Sequence, residues 1–126
     1  MKADTIPTWN VYYNNKLLKQ FTSNSISKEI QIEISAYKPG DYIAIEYNDD
    51  IPCLECEYEI LLKTEHNMEV TFSRFKDKYK LMKFDVKHII YDSKEDQLDT
   101  VVVYLKEIDK NGSGNSGVKL FTIKIN

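Results

Sequence analysis

The two cysteines of this 126-residue chain, Cys53 and Cys56, have the Cys-x-x-Cys spacing of thiol–disulfide oxidoreductases. In those proteins the motif stands at the start of a helix, whose terminus stabilises a thiolate. Here it enters an alternating strand pattern that carries Glu55, Glu57 and Glu59, and three nearby carboxylates disfavour a thiolate. A structural disulfide and two reduced thiols with Cys56 in the core are therefore the favoured alternatives, and a redox pair comes after them.

Strand geometry limits how the two cysteines could pair. A spacing of three residues in one extended strand places Cys53 and Cys56 on opposite faces. A disulfide between them requires the chain to turn, and the neighbouring Pro52 makes such a turn possible.

The other metal-ligating residues are scattered along the chain. Zinc takes four ligands, and only His66 and His88 could join the two cysteines. His66 falls in a predicted hairpin turn and His88 beside a short predicted helix, so no pattern brings them together. We predict neither a resident metal nor a cofactor.

Two acidic segments offer the oxygen ligands that calcium prefers. One is Asp49-Asp50, and the other runs from Asp92 to Asp99. Neither has the spacing of an established calcium loop, and Lys94 lies inside the second. Solvated loops are the favoured interpretation, and a loop-tip calcium site stays open as an alternative.

Tyr12 and Tyr42 are the candidate ligand-binding residues. Each falls on the strand face opposite the main apolar set, so its ring is expected at the surface, where it could stack on a sugar. Trp9 and Tyr58 instead share faces with aliphatic residues, which is the pattern of a core.

Catalytic signatures are weak throughout the sequence. The serines lie in polar links without a nucleophile-elbow motif. The carboxylates are many, but no apolar pocket is indicated around a pair of them. We therefore predict that the protein is not an enzyme.

The elements that must position these residues are strands. Glu29–Ile34 alternates polar and apolar side chains without a break, which is the two-residue period of a half-buried strand. The same period predicts strands over 9–13, 16–21, 28–34, 42–47, 55–63, 68–74, 79–84, 100–108 and 118–125. Apolar residues at helical spacing predict at most one short helix, near 85–91.

This pattern predicts an all-β single domain over residues 1–126, a two-sheet antiparallel β-sandwich with an immunoglobulin-like or similar Greek-key topology. Val101–Leu105 is apolar on both faces and should lie in a central strand. The hairpin Trp9–Phe21, which turns at Asn14-Asn15, and the strand Val118–Ile125 should lie at sheet edges.

Two finer expectations concern side chains on the strands. Leu17 and Phe21 should share one face of the hairpin. The glutamate stripe that begins at Glu55 should pair with a lysine of a neighbouring strand, such as Lys80 or Lys83, because opposite charges across strands stabilise a sheet.

Charge and hydropathy exclude several classes of protein. The net charge is −3, without the basic footprint of a nucleic-acid-binding domain. No run reaches the roughly 18 apolar residues of a transmembrane helix. The first residues lack the apolar run of a signal peptide. A cytosolic protein with its native start and a mature exported domain with a replaced leader both fit.

The opening segment Trp9–Leu18 has a W-x-V-x-x-N-x-K pattern. Together with the turn Lys38–Asp41 and the segment Pro52–Cys56, it resembles a group of small, uncharacterised bacterial all-β proteins, many of which carry a signal peptide. The resemblance covers the first half of the chain. It implies an exported domain in a compartment that permits disulfides, and it implies no activity.

Taken together, these observations favour a non-enzymatic binding or interaction module, exported from a bacterium, with a protein or a glycan as its ligand. The alternatives are a thiol/disulfide redox protein that uses Cys53 and Cys56, and a loop-tip calcium-dependent binding domain. An exposed edge strand could also add a strand of a second copy, so a homo-oligomer is a further expectation.

Overall fold

The computed structural model describes residues 7–48, 56–64, 69–75, 81–87, 89–90, 99–109, 111 and 117–126. The strands are β1 (Thr8–Tyr13), β2 (Lys16–Thr22), β3 (Glu29–Ile32), β4 (Tyr42–Asn48), β5 (Glu57–Thr64), β6 (Glu69–Phe75), β7 (Met82–Asp85), β8 (Thr100–Ile108) and β9 (Val118–Ile125). A 3₁₀ turn, Ile34–Ala36, lies between β3 and β4. Within the described ranges, no helix is long and apolar enough to cross a membrane.

The strands form two sheets, as predicted for a sandwich. One has four strands in the order β2-β1-β4-β7, and the other has five in the order β3-β9-β8-β5-β6. The neighbours β1-β4-β7 and β9-β8-β5 correspond to strands A-B-E and G-F-C of an immunoglobulin domain. One pair departs from the antiparallel prediction, because β3 runs parallel to β9.

The core lies between the two sheets and takes one face of each strand. Trp9 of β1 is 2% exposed. Its ring stacks on Tyr47 with centroids 5.9 Å apart and lies tilted against the Phe21 ring with centroids 6.3 Å apart. Its indole N–H crosses to the other sheet and donates to the Leu120 carbonyl of β9 at 3.0 Å. Packing and a buried hydrogen bond thus join the sheets at one residue.

The prediction that Leu17 shares the inner face with Phe21 is wrong. Phe21 is buried, but Leu17 is half-exposed. The register between β1 and β2 slips after Val11, so that Tyr12, not Tyr13, is opposite Leu17. The extra residue is Leu18, and a one-residue slip moves a side chain to the other face of the sheet.

The prediction of edges is correct for the β2 strand of the hairpin and wrong for its β1 strand, which lies between β2 and β4, and for β9. β2 ends the four-stranded sheet, whereas β9 lies between β3 and β8. β9 is the last strand of the chain but not an edge strand. β3 crosses to the five-stranded sheet and pairs with β9 on the side away from β8. β8, which carries the Val101–Leu105 run, is central as predicted.

The predicted pairing of the glutamate stripe with Lys83 is also wrong. Lys83 belongs to β7 in the other sheet, and β5 lies between β6 and β8. In register, Glu59 is opposite Arg74 of β6 and Lys106 of β8. Glu59 is also buried, against the expectation that the stripe faces solvent. Lys80 and Glu55 lie outside the described residues.

After β7 the backbone is helical at residues 86–87 and 89–90. Val86, Ile89 and Ile90 are all buried, on the side that the three- and four-residue spacing predicts. The segment is tied to the rest of the four-stranded sheet by a hydrogen bond from the Val86 N–H to the Asp41 carbonyl at 3.0 Å.

The contact between the sheets gives a stability prediction. Trp9→Phe removes the indole N–H and leaves both a gap and an unsatisfied Leu120 carbonyl, so the free energy of unfolding should fall by about 3 kcal/mol. Urea denaturation measures it. Ile26→Ala, at a fully exposed apolar position, is the control and should change it by less than about 0.5 kcal/mol. Equal effects of the two variants would contradict the role of Trp9.

Candidate functional site

Tyr12 and Tyr42 lie on the same outer face of the four-stranded sheet. Tyr12 is opposite Ala44 in the β1–β4 register, and Tyr42 precedes Ala44 by two residues on that face. Both tyrosines are partly exposed, whereas Ala44 between them is 1% exposed. The side chain of Ala44 is therefore covered by its neighbours, with Tyr12 beside it across the strand pair and Tyr42 beside it along β4. We call this surface the tyrosine face.

Polar side chains surround the tyrosine face. The Tyr12 hydroxyl and the Asn10 amide both donate to Oε1 of Glu46, at 3.4 and 2.8 Å. The Tyr42 hydroxyl donates to the side-chain carbonyl of Asn15 at 3.1 Å. The other amide oxygen of the cluster, Oδ1 of Asn10, is buried and has no partner among the described residues. The face therefore combines aromatic surface with carboxylate and amide groups.

A lysine covers part of the second ring. The Lys83 ammonium lies 4.8 Å from the centroid of the Tyr42 ring, within cation–π range. β7 brings it there, because Lys83 is opposite Ala44 in the β4–β7 register. Lys83 is exposed, so its long side chain can move over the ring or away from it.

A hydrogen-bonded junction of two turns holds Tyr42 in place. Asn14, in the β1–β2 turn, has φ +55°, donates its backbone N–H to the Tyr42 carbonyl at 2.9 Å and accepts the Tyr42 N–H with its side chain at 3.0 Å. Asp41 accepts hydrogen bonds from the Tyr13 hydroxyl at 2.7 Å, the Asn14 amide at 3.0 Å and the Lys38 N–H at 2.9 Å. We call these groups the Asp41 junction.

The junction shifts two pKa values in opposite directions. The hydrogen bonds from Asn14, Tyr13 and the Lys38 backbone lower the pKa of Asp41 below that of a free aspartate, because they stabilise the ionised form. Burial, and then the hydrogen bond to Asp41 and its charge, raise the pKa of Tyr13 above that of a free tyrosine. At neutral pH the junction therefore contains a carboxylate and a neutral phenol.

The sequence predicted both turns separately, and it did not predict their contact. Asn14-Asn15 and Pro39-Gly40 have the residue types of tight turns, and Gly40 has φ +96° as such a turn requires. The contact depends on β1 pairing with β4, which brings together residues 28 positions apart in the case of Tyr13 and Asp41. Tyr13 and Asp41 carry no local signal of this pairing.

Cys56 lies at the start of β5 and is 4% exposed. It is part of the core cluster, and it is disulfide-bonded. Its sulfur is 3.6 Å from Oε1 of Glu107, a contact and not a donated hydrogen bond, since a disulfide sulfur carries no proton. A buried sulfur beside a carboxylate is poorly placed for thiolate attack.

The remaining candidates fall largely outside the described residues: Cys53, Asp49, Asp50, His66, His88 and positions 92–98. Asp99 is described and exposed. In the part of the chain that the structure describes, no three histidine, cysteine, aspartate or glutamate side chains are grouped closely enough to hold a metal ion. The calcium alternative thus stays a prediction from the sequence.

Comparison with known proteins does not identify a family for this chain. Neither the protein families nor the curated proteins with which the sequence was compared include a match.

The Asp41 junction predicts a dependence of stability on pH. A lowered pKa in the folded state contributes stability that is present at neutral pH and lost below about pH 4, as the pH falls through the folded pKa of Asp41. Asp41→Asn should remove this contribution, so its unfolding free energy should be lower than wild type at pH 7 and fall less steeply below about pH 4.

Urea denaturation over a pH series measures this slope. Asp99→Asn removes one exposed carboxylate outside the junction and serves as the control. Because the raised pKa of Tyr13 contributes stability that is lost as the pH rises above about 10, Tyr13→Phe should remove the alkaline loss as well. Acid slopes that coincide for wild type and Asp41→Asn would refute the assignment.

Proposed function

We propose that the protein is a non-enzymatic binding module and that the tyrosine face binds a glycan. The observation that carries the proposal is the placement of two partly exposed tyrosine rings on one sheet face, both next to the buried Ala44. Flat rings can pack against the C–H faces of a sugar, and two rings on neighbouring strands can contact successive units of an extended chain.

The surrounding polar groups suit sugar hydroxyls. Glu46 offers acceptors, Lys83 offers donors, and the amides of Asn10 and Asn15 offer both. The unpaired Asn10 Oδ1 is an acceptor that a small shift of the side chain would present to a ligand hydroxyl. Few polar groups at fixed positions beside aromatic surface are typical of small-ligand sites.

The Asp41 junction supports this proposal by fixing one ring. It holds the Tyr42 backbone from both sides through Asn14, while the Tyr42 hydroxyl is held by Asn15. A ring that is already ordered loses less side-chain entropy when a ligand binds. Asn14 and Asp41 therefore contribute to affinity without touching the ligand.

We also propose that the protein works outside the reducing cytosol, as the resemblance of its first half to exported bacterial proteins suggests. The support is Cys56, which is disulfide-bonded and in the core. Cys53 is the only other cysteine of the chain, so an intramolecular bridge would join these two. Such bridges persist in oxidising compartments, and burial of Cys56 suits a structural bridge better than the redox alternative.

Binding to immobilised oligosaccharides tests the glycan proposal. Tyr12→Ala and Tyr42→Ala should each weaken binding about tenfold, the equivalent of about 1.4 kcal/mol for one aromatic contact. Tyr12→Phe should keep most of it. Tyr104→Ala is a matched control, because Tyr104 is a partly exposed tyrosine on β8 of the other sheet with the Lys63 ammonium 5.5 Å from its ring centroid.

Two results would count against the tyrosine face. One is the absence of binding to any oligosaccharide by the folded wild type. The other is an equal loss with Tyr104→Ala, which would place the glycan elsewhere or indicate a general effect on the fold.

Thiol titration tests the proposed bridge. The unfolded, unreduced protein should show no free thiol, and reduction should release both. A bridge between Cys53 and Cys56 closes a very short loop, so Cys53→Ser should lower the unfolding free energy by only about 2 kcal/mol. Reductant should destabilise the wild type and leave Cys53→Ser unchanged. Two thiols that react without reductant would rule the bridge out.

A further inference from the structure

A groove runs between the two sheets along one side of the sandwich, bounded by the edge strands β2 and β3. It consists of two adjoining cavities of about 360 and 380 Å³, which share Leu18 and Gln31. Ile30 and Ile32 lie at its base, and both are buried. Leu18 of β2, 37% exposed, and Ala36 add apolar surface. The groove thus has an apolar base at Ile30 and Ile32 and two strand edges as its sides. Charged residues line both sides: Lys16 and Lys19 of β2, and Glu29 and Glu33 on the side of β3.

The hydrogen bonds of β3 show which backbone groups face the groove. The Thr122 N–H donates to the Lys28 carbonyl at 2.8 Å, the Asn126 N–H donates to the Ile32 carbonyl at 2.9 Å, and the Ile34 N–H donates to the Asn126 carbonyl at 3.0 Å. Every second residue of a parallel strand bonds to one neighbour. The even-numbered residues therefore pair with β9, and the N–H and C=O groups of the odd-numbered residues point away from it.

Three odd-numbered residues face this unpaired side: Glu29, Gln31 and Glu33. The Glu33 carbonyl is used by the Ala36 N–H at 3.1 Å, and the Glu29 carbonyl accepts a hydrogen bond from the exposed Lys19 ammonium at 3.3 Å. Among the described residues, the three N–H groups and the Gln31 carbonyl have no backbone partner and are directed into the groove, at the end of a sheet where no described strand is paired. This is the backbone pattern that an added strand recognises.

Side chains along the edge decide what kind of strand fits. In an added strand, alternate side chains would point to the side of Ile30 and Ile32, where the groove is apolar, and the others would lie beside Glu29 and Glu33. Opposite charges on adjacent strands are stabilising and like charges are destabilising. Lys16 and Lys19 belong to β2 across the groove, whereas Glu29 and Glu33 lie on the face of β3 opposite Ile30 and Ile32. On that face, β3 therefore favours a segment in which apolar residues alternate with lysine or arginine.

The same charges disfavour a second copy of this chain at the edge. Two β3 strands paired with each other would bring the carboxylates of Glu29 and Glu33 from both copies together. The apolar base also continues beyond the short strand β3, past Ile32 to Ala36, so a longer segment than β3 itself can lie in the groove.

We propose that the free edge of β3 binds an extended segment of a partner protein, with alternating apolar and basic residues, as a sixth strand of the five-stranded sheet. The Lys19 ammonium leaves the Glu29 carbonyl when the segment enters. This site lies at the β3 edge of the five-stranded sheet, apart from the tyrosine face on the four-stranded sheet, and does not depend on glycan binding.

Fluorescence anisotropy with synthetic peptides tests the proposal on the full chain. The probe is a labelled peptide in which valine alternates with lysine, and its counterpart has glutamate in place of lysine. The lysine peptide should bind at least tenfold more tightly. Absence of binding, or equal binding of the two peptides, would overturn the proposal.

Backbone methylation of the peptide separates strand addition from nonspecific charge attraction. N–H groups of alternate residues point to the same edge of a strand. Methylation of one alternate set of amides should abolish binding, and methylation of the other set should leave it nearly unchanged. Equal effects of the two methylated peptides would show that no strand is added.

Variants of the protein locate the site. Glu29→Lys should weaken binding of the lysine peptide about threefold, within the range of one cross-strand charge pair, and strengthen binding of the glutamate peptide. Asp85→Lys, an exposed acidic position on β7 at the opposite end of the four-stranded sheet, adds the same charge and should have little effect. Similar effects of both variants would refute the assignment to β3.

Removal of one backbone donor tests the edge directly. Proline is tolerated at an edge where the N–H faces solvent, so Gln31→Pro should remove a donor of the free edge, keep the pairing with β9 and abolish peptide binding. Circular dichroism establishes whether the variant is folded, and if it is not, the methylated peptides decide whether a strand is added. Self-association of the chain that the lysine peptide blocks would make a second copy the occupant of the edge and contradict the proposed partner.

Discussion

The hydrogen bond from the Trp9 indole to the Leu120 carbonyl joins the two sheets at the centre of the core. A sandwich has no backbone hydrogen bonds between its layers, so side chains alone set how the sheets are placed. Trp9 does this with a large stacked ring and a directed polar bond. β1 also pairs with both β2 and β4. By fixing β1, Trp9 therefore also fixes the position of the hairpin and of the tyrosine face relative to the other sheet.

The Asp41 junction has a corresponding role at one end of the four-stranded sheet. It joins the β1–β2 turn to the turn before β4 through a single carboxylate that accepts three hydrogen bonds. Charge-assisted bonds of this kind are directional and stronger than neutral ones. They make the hairpin and β4 one rigid unit, and both candidate binding tyrosines belong to that unit.

The two edges along the groove differ in how they are protected. β2 has a bulge at Leu18 and carries Lys16 and Lys19. A bulge and charged side chains both oppose pairing of an edge strand with other chains. β3 is short and carries carboxylates, with one lysine on one of its carbonyls. The carboxylates of β3 oppose pairing with a second copy of the chain. In the proposed site, the Lys19 ammonium leaves the Glu29 carbonyl when a segment of complementary charge binds.

The sequence by itself determined the all-β class, the two-sheet sandwich and most of the core. A two-residue period in hydropathy is a local property, so Trp9, Val11, Ile30 and Ile32 could be assigned to the inside from their neighbours alone. The outward direction of Tyr12 and Tyr42 followed from the same period. Only the pairing of β1 with β4 placed these two tyrosines on one face, and nothing local encodes which strands are neighbours.

Tertiary structure decided the rest. The bulge at Leu18 turned the Leu17 side chain to the outer face, and the crossing of β3 to a parallel position beside β9 removed a predicted edge. Glu59, predicted to face solvent, is buried. Each outcome depends on contacts between residues far apart in the chain, whose free energy is shared among many side chains. Hydropathy along a strand reports which face is buried, and the choice of partner strand is made only when the two layers pack together.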